Sequence, residues 1–434
     1  MKNTVFILLS VLGISGFAQD TLRISEMELH GKSLDQNLQM QLAQKEIELS
    51  KAELLASRAI YLPNITASYS VMNTNSPLNS FGFKLNQSRI TMEDFNPDFL
   101  NSPDNITDFS PKIEVQQPIF NLDAIYQKKA GLVKTEVLKI KQQRTKEYLQ
   151  FELNKTYKML QLAYKMFETL ENAKQTTLAN KKVIDNYYNN GLIQKSEVLY
   201  MEVRLNEIEH QIQLAKTNIH NVSDYLFLLL NEDASGRIYQ PTEVLNYENT
   251  ILDDEINLNP NRKDLQAYEK SLEAYDWMIK SSKSKALPRL NAFGSFEMHD
   301  NKISRFNGDG YLVGLQLSWN FFDGLKSKSE QATYQADYNR AQAEIKQYNQ
   351  QSEWELKKAF RQVTDADNRV ILTEKAWQQS QEAYRIRKNR YDQGLEKSAD
   401  LLTAETMMAQ KELEYHQAVF DYAVAIDYFQ FLKN

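Results

Sequence analysis

The chain has 434 residues, a formal net charge of −6, no cysteine and five histidines. The acidic balance and the lack of any basic block argue against a nucleic-acid surface. The missing cysteine excludes a disulfide framework, thiolate metal sites and an acylated lipoprotein N-terminus. No histidine pair has the i, i+4 spacing of a helical metal site, and no nucleophile elbow or phosphate loop is present. No cofactor and no enzymatic activity are therefore expected.

The chain begins like an export signal. Lys2 supplies the positive end, Val5 to Gly13 is apolar apart from Ser10, and Gly16-Phe17-Ala18 places small residues before a cut ahead of Gln19. Residues 1–18 are read as a signal peptide. No later stretch approaches the roughly 18 apolar residues of a membrane helix. Any membrane-spanning part must therefore be built of strands.

Residues from about 30 to 60 read as a helix that ends before Pro63. Ile65, Ala67, Tyr69 and Val71 then alternate with Thr66, Ser68 and Ser70, the two-residue period of a strand. From Asn73 to Ser110 the residues are those of a loop, rich in Asn, Asp, Pro and Ser, with Phe81, Phe83, Phe95 and Phe99 among them. A second strand runs about 109–120. Asn121 to Tyr188 holds no proline and one glycine, and reads as a helix on the order of 100 Å long. The chain turns at Asn189-Asn190-Gly191. The returning helix places Leu205, Ile208, Ile212, Ala215, Ile219, Val222, Leu226 and Leu229 on one coiled-coil stripe.

Residues 231–261, with Gly236, Pro241 and Pro260, read as a linker. The pattern then restarts. Arg262 to Lys285 is helical, and Leu287-Pro288 echoes Leu62-Pro63. A strand at about 289–299 is followed by one at about 311–322 carrying Tyr311, Val313, Leu315, Leu317, Trp319 and Phe321 in alternation. From Leu325 to Asn434 there is no proline and only Gly394. Tyr391-Asp-Gln-Gly394-Leu395 repeats Tyr188-Tyr-Asn-Asn-Gly191-Leu192, and Leu402 and Glu405 lie 203 positions after Leu199 and Glu202. The chain is read as two repeats, 19–230 and 262–434, around the linker. The first hairpin is 23 residues longer than the second, and the excess falls in the Asn- and Pro-rich loop.

Two ten-residue strands suit a tilted bilayer crossing. Four strands cannot close a barrel, and hydrocarbon does not tolerate open sheet edges. Three chains would supply twelve strands. A small soluble sheet on a helical stalk, as in a secreted trimeric coiled-coil adhesin, is the alternative.

The paired Leu-Pro strand entries, the strand exits Gln117-Pro118-Ile119-Phe120-Asn121 and Trp319-Asn320-Phe321-Phe322-Asp323-Gly324, and the two Gly-Leu turns resemble the TolC family of outer-membrane efflux proteins. The resemblance implies an α+β membrane protein. It would be a homotrimer with a 12-stranded transmembrane β-barrel, four strands per chain, continued by a long α-helical coiled-coil barrel through the periplasm. It also implies docking onto a periplasmic adaptor and an inner-membrane efflux or secretion transporter, so that the protein is the exit duct of a tripartite efflux or type I secretion system.

Candidate functional residues follow. Tyr188, Gly191, Leu192, Leu199, Tyr391, Gly394, Leu395 and Leu402 would form the periplasmic tip and meet the adaptor. Tyr311, Val313, Leu315, Leu317, Trp319 and Phe321 would face outer-membrane lipid, and the 73–110 loop would be extracellular. Glu197 and Asp400, six positions past each glycine, are either an acidic pore ring or helix caps. TolC-like proteins carry a carboxylate at this offset. A second gate carboxylate of the family falls here on Thr403, and a basic gate residue falls on Glu396, with reversed sign.

Overall fold

A computed structural model describes residues 21–32, 34–249 and 256–434. The expected signal peptide lies outside them. The described residues fall into two compact units, one of them made of residues 43–141 and 263–349 and the other of the remainder.

The first of these units is centred on a four-stranded antiparallel sheet. Strand β2 (Asn64–Thr74) pairs with β3 (Ile106–Phe120), β3 with β5 (Arg289–His299), and β5 with β6 (Gly308–Ser318). The register sorts the side chains by chemistry. Ala67, Ile113, Phe296 and Tyr311 stand in one row across all four strands, and Ile65, Val115, Gly294 and Val313 stand in the next row of that face. Thr66, Glu114, Ser295 and Leu312 form a row on the opposite face, and Ser68, Lys112 and Glu297 another. Because side chains alternate along a strand, one face is almost wholly apolar and the other mainly polar. The apolar residues are exposed all the same: Leu315 is 70% accessible and Val313 70%. The outer edges of β2 and β6 have no strand partner among the described residues. Gly314 is required for space, since a Cβ there would lie 2.7 Å from the ring of Phe293 on the neighbouring strand.

Below the sheet, α2 (Leu38–Ala56) packs on the start of α5 (Leu122–Asn189). Ser50 and Thr135 share a buried 2.8 Å hydrogen bond, and Gly131, the one glycine of α5, lets Leu54 approach. On the other side α7 (Lys263–Ser284) buries Ala267 against Val133 and Val137.

Three expectations are corrected here. The helix read over about 30–60 is interrupted: α1 (Glu26–Gly31) is followed by a 3₁₀ turn at Leu34–Gln36 before α2 begins. Asn37 accounts for the break, since its amide donates to the Leu229 carbonyl and its Oδ1 accepts from the Gln39 N–H. The 73–110 loop contains two short helices, α3 (Pro77–Asn86) and α4 (Pro97–Asn101). Pro77 and Pro97 start them, where a missing N–H costs nothing, and Asn96 caps the second. Residues that signal a loop here signal helix starts. Finally, β6 ends at Ser318, so Trp319 and Phe321 lie beyond the strand. The chain turns away toward Gly324, whose φ is 68°.

The insertion is fastened to the sheet. Gln87 donates to Asp108 at 2.8 Å, the buried Asp108 carboxylate meets His299 Nδ1 at 2.8 Å, and the Gly308 backbone runs against the Asn86 carbonyl so closely that a Cβ would lie 1.8 Å from its oxygen. Phe81 and Phe95 pack edge to face.

The second unit is a helical bundle. Leu149, Leu153, Tyr157 and Leu160 of α5 pack against Ile219, Val222, Leu226 and Leu229 of α6 (Lys195–Leu230), much as the three-four spacing predicts. An equivalent core joins α8 (Lys326–Asp392) to α9 (Ser398–Lys433), through Leu356, Val363 and Val370 against Ala418, Tyr422 and Phe429. A short parallel pair, β1 (Thr21–Ile24) with β4 (Ile238–Pro241), crosses this bundle, and Tyr157 donates its hydroxyl to the Ile24 carbonyl at 3.1 Å. Nothing local in the sequence announced it. Among the described residues no helix is long and apolar enough to cross a membrane.

Candidate functional site: the two helical turns

The turns after α5 and α8 have the same backbone. Gly191 and Gly394 have φ of 72° and 74°, the left-handed region that glycine enters without strain. Gly191 N–H donates to Tyr188 O and Leu192 N–H to Tyr187 O, both at 2.9 Å. Gly394 and Leu395 repeat this with Tyr391 and Arg390, again at 2.9 Å. These paired bonds are the Schellman arrangement that satisfies the last carbonyls of a helix. Nothing lies within 4 Å of a Cβ built on either glycine, so the torsion angle, not space, selects the residue.

The expected tip residues divide into two groups. Leu192, Leu199 and Leu395 are exposed. Tyr391 is buried with Ile184, Met201 and Leu401, and Leu402 packs partly against that cluster. Tyr187 and Tyr391 rings lie 5.8 Å apart. The two helical hairpins therefore hold each other through one apolar cluster at their tips.

The candidate acids occupy matching backbone positions in unlike surroundings. Each is the third residue of its helix, and its N–H bonds at 3.1 Å to the carbonyl of the preceding cap residue, Gln194 or Lys397. Neither cap residue provides a side-chain cap. One carboxylate oxygen of Glu197 is buried with no hydrogen-bond partner among the described residues. Asp400 is half exposed, with Oδ1 4.0 Å from Arg387.

Two features of the site escaped the sequence reading. The first is a clamp on the second turn. Arg387 Nη1 meets Glu396 Oε1, and Arg390 Nε meets Glu396 Oε2, both at 2.8 Å. The sign at Glu396 that departs from the family is thus matched by two arginines inside the same turn. In the first repeat the positions 203 earlier are Ile184, Tyr187 and Ile193, which belong to the apolar cluster. The second is Glu405, 1% exposed between the hairpins. Asn180 Nδ2 donates to its Oε2 at 2.6 Å, and Thr177 Oγ1 meets Oε1. Burial pushes this carboxyl above the usual range, against the hydrogen bonds from Thr177 and Asn180 and the charge of Arg204. The 203-residue spacing picked Glu405 out but could not tell it from Glu202, which lies exposed 3.7 Å from Lys181.

Residues 257–425 match the family model of the outer membrane efflux proteins. That match spans the second half of the chain from the end of the linker through most of α9. The whole chain shares the fold of solved outer-membrane channels. It superposes on CmeC of Campylobacter jejuni with a TM-score of 0.78 at 16% identity, covering 93% of this chain and 85% of that one. For VceC of Vibrio cholerae the TM-score is 0.74 at 16% identity, covering 94% and 96%. For a membrane protein from Pseudomonas aeruginosa it is 0.78 at 16% identity, covering 94% and 90%. Comparison with curated protein sequences finds no match. The partial family match and the shared fold both point to proteins of the outer membrane.

Proposed function

We propose that three copies of the chain close a twelve-stranded barrel, and that the helices continue it as a duct serving a tripartite efflux or secretion system. The observation that carries this is the sheet. Its apolar face is open to solvent and its outermost strands, β2 and β6, each of 11 residues, lack partners. A single chain would leave those backbone groups unpaired in hydrocarbon, and pairing β6 of one chain with β2 of the next satisfies them all. Residues 1–18 then serve as the export signal, the insertion at 77–104 faces outward, and the Gly-Leu turns form the periplasmic tip. There the exposed Leu192 and Leu395 offer apolar contact to an adaptor.

The chain contains no cysteine. Cysteine pairs introduced along β2 and β6 therefore report only the designed contact. Some pairs should yield covalent trimers, and the purified protein should conduct ions in planar bilayers. Monomers and dimers alone, or absence of a pore, would overturn the proposal; a coiled-coil stalk would give trimers without conductance.

The acids at the turns give a further expected result. With both in every chain facing the passage, three glutamates and three aspartates would favour cations. Glu197→Ala combined with Asp400→Ala should lower the cation-to-anion permeability ratio severalfold in single-channel recordings. An unchanged reversal potential would leave the two acids as first-turn partners of the helix dipole.

A further inference from the structure

We propose that a cleft at the helix-side end of the sheet binds the phosphate-bearing headgroup of a glycerophospholipid. The proposal rests on the barrel reading above, and it assigns a specific site within it. The cleft has a volume of about 490 Å³ and is lined by Lys285, Arg289, Trp319, Asn320, Lys326 and Ser327 among others. It lies where β6 has ended and α8 begins.

Its charges are arranged for an anion. Asp323 also lines the cleft, but its carboxylate is spent on the start of α8, accepting from the Ser327 N–H at 2.9 Å and from the Ser327 hydroxyl. Glu330 is taken up by Lys285. Arg289 meets Asp123 through Nη2 at 2.6 Å, which leaves its other N–H groups for a second acceptor. Lys326 is exposed and has no ion-pair partner among the described residues. A phosphate entering here meets the unpaired Lys326 ammonium and the N–H groups of Arg289 that Asp123 does not occupy, both of them charge-assisted donors.

The rim identifies the ligand as a lipid and not a soluble phosphate. Trp319, Phe321, Phe322 and Leu325 stand exposed around this end of the sheet. The rings of Trp319 and Phe321 are 4.3 Å apart, and the indole N–H is fixed to the Ala286 carbonyl at 3.0 Å. On the strand that leads to this end, Val313, Leu315 and Leu317 form an exposed apolar row. A molecule seated here would have its anionic head in the cleft and its acyl chains along that row. Amphipathic rings at the border between polar and apolar zones are the usual arrangement at a bilayer interface.

The test is native mass spectrometry of the purified trimer, offered phosphatidylglycerol or the phosphate-free digalactosyldiacylglycerol. Phosphatidylglycerol should be retained preferentially, up to one molecule per chain, and an excess of inorganic phosphate should not displace it. Lys326→Gln, an exposed change, should weaken retention about tenfold, the size of one charge-assisted contact. Trp319→Leu should weaken it independently. Equal retention of the two lipids, displacement by inorganic phosphate, or no effect of either substitution would overturn the site while leaving the barrel standing. Loss of the trimer already in the parent protein, visible in the same spectra, would overturn the barrel reading and this site with it.

Discussion

Replacing Leu315 by arginine should abolish assembly in the outer membrane. Leu315 lies on the apolar face, paired with Ala292 across β5 and β6, and is 70% exposed in the single chain. In the proposed barrel that exposure is to hydrocarbon. An arginine near the bilayer midplane costs about 2–4 kcal/mol, and a trimer carries that cost three times. Gln316, the next residue, pairs with Asn291 on the opposite face. Gln316→Arg therefore places the same charge in the same strand, directed at the barrel lumen. Outer-membrane fractionation and seminative electrophoresis should find trimers of Gln316→Arg and almost none of Leu315→Arg. Equal assembly of the two variants would mean that the apolar face does not meet lipid.

Glu405→Gln should stabilise the protein at neutral and alkaline pH and leave it little changed in acid. Glu405 is 1% exposed. Thr177 Oγ1 and Asn180 Nδ2 donate to its two carboxyl oxygens, and burial outweighs these bonds and raises its pKa. The sign follows from proton counts. Above the unfolded value of 4.5 the unfolded chain has lost this proton and the folded chain keeps it, so stability falls as pH rises. The fall ends once pH passes the folded-state pKa. Glutamine keeps one donor and one acceptor and does not titrate, so it should remove this slope. Glu405→Ala leaves Asn180 and Thr177 without their partner and should cost about 1–3 kcal/mol at every pH. Thermal unfolding followed by circular dichroism at pH 5 and pH 8 checks all three. An unchanged pH slope in Glu405→Gln would show that the buried carboxyl is already ionised.

Much of the helical frame could be read locally. A 68-residue helix, α5, and a 67-residue helix, α8, lie where proline is absent and glycine all but absent. Their ends fall at Gly191 and Gly394 because a left-handed residue is needed there. The strands were legible by alternation, but their ends were not. Trp319 and Phe321 keep the alternating pattern after β6 has stopped, because aromatic residues outside a strand can stay exposed at the same spacing. In the insertion, Pro77 and Pro97 looked like loop residues, since proline at a helix start and proline in a turn have the same local requirement for φ.

The sequence by itself determined the order of the long helices and of the four strands of the main sheet, the two glycine turns, the apolar stripes and the family resemblance. Each of these depends on residues within a few positions of one another, where backbone torsions and side-chain periodicity are set. Only the tertiary structure decided the pairing of β1 with β4, the docking of the insertion through Gln87, Asp108 and His299, and the separate fates of equivalent acids. Glu202 and Glu405 are the same residue at the same place in a repeated motif. One stays in solvent beside Lys181, and the other is enclosed by Thr177 and Asn180 from a helix more than 200 residues away. Ionisation depends on what surrounds a carboxyl in space. That environment is assembled by packing between distant segments, which no local pattern encodes.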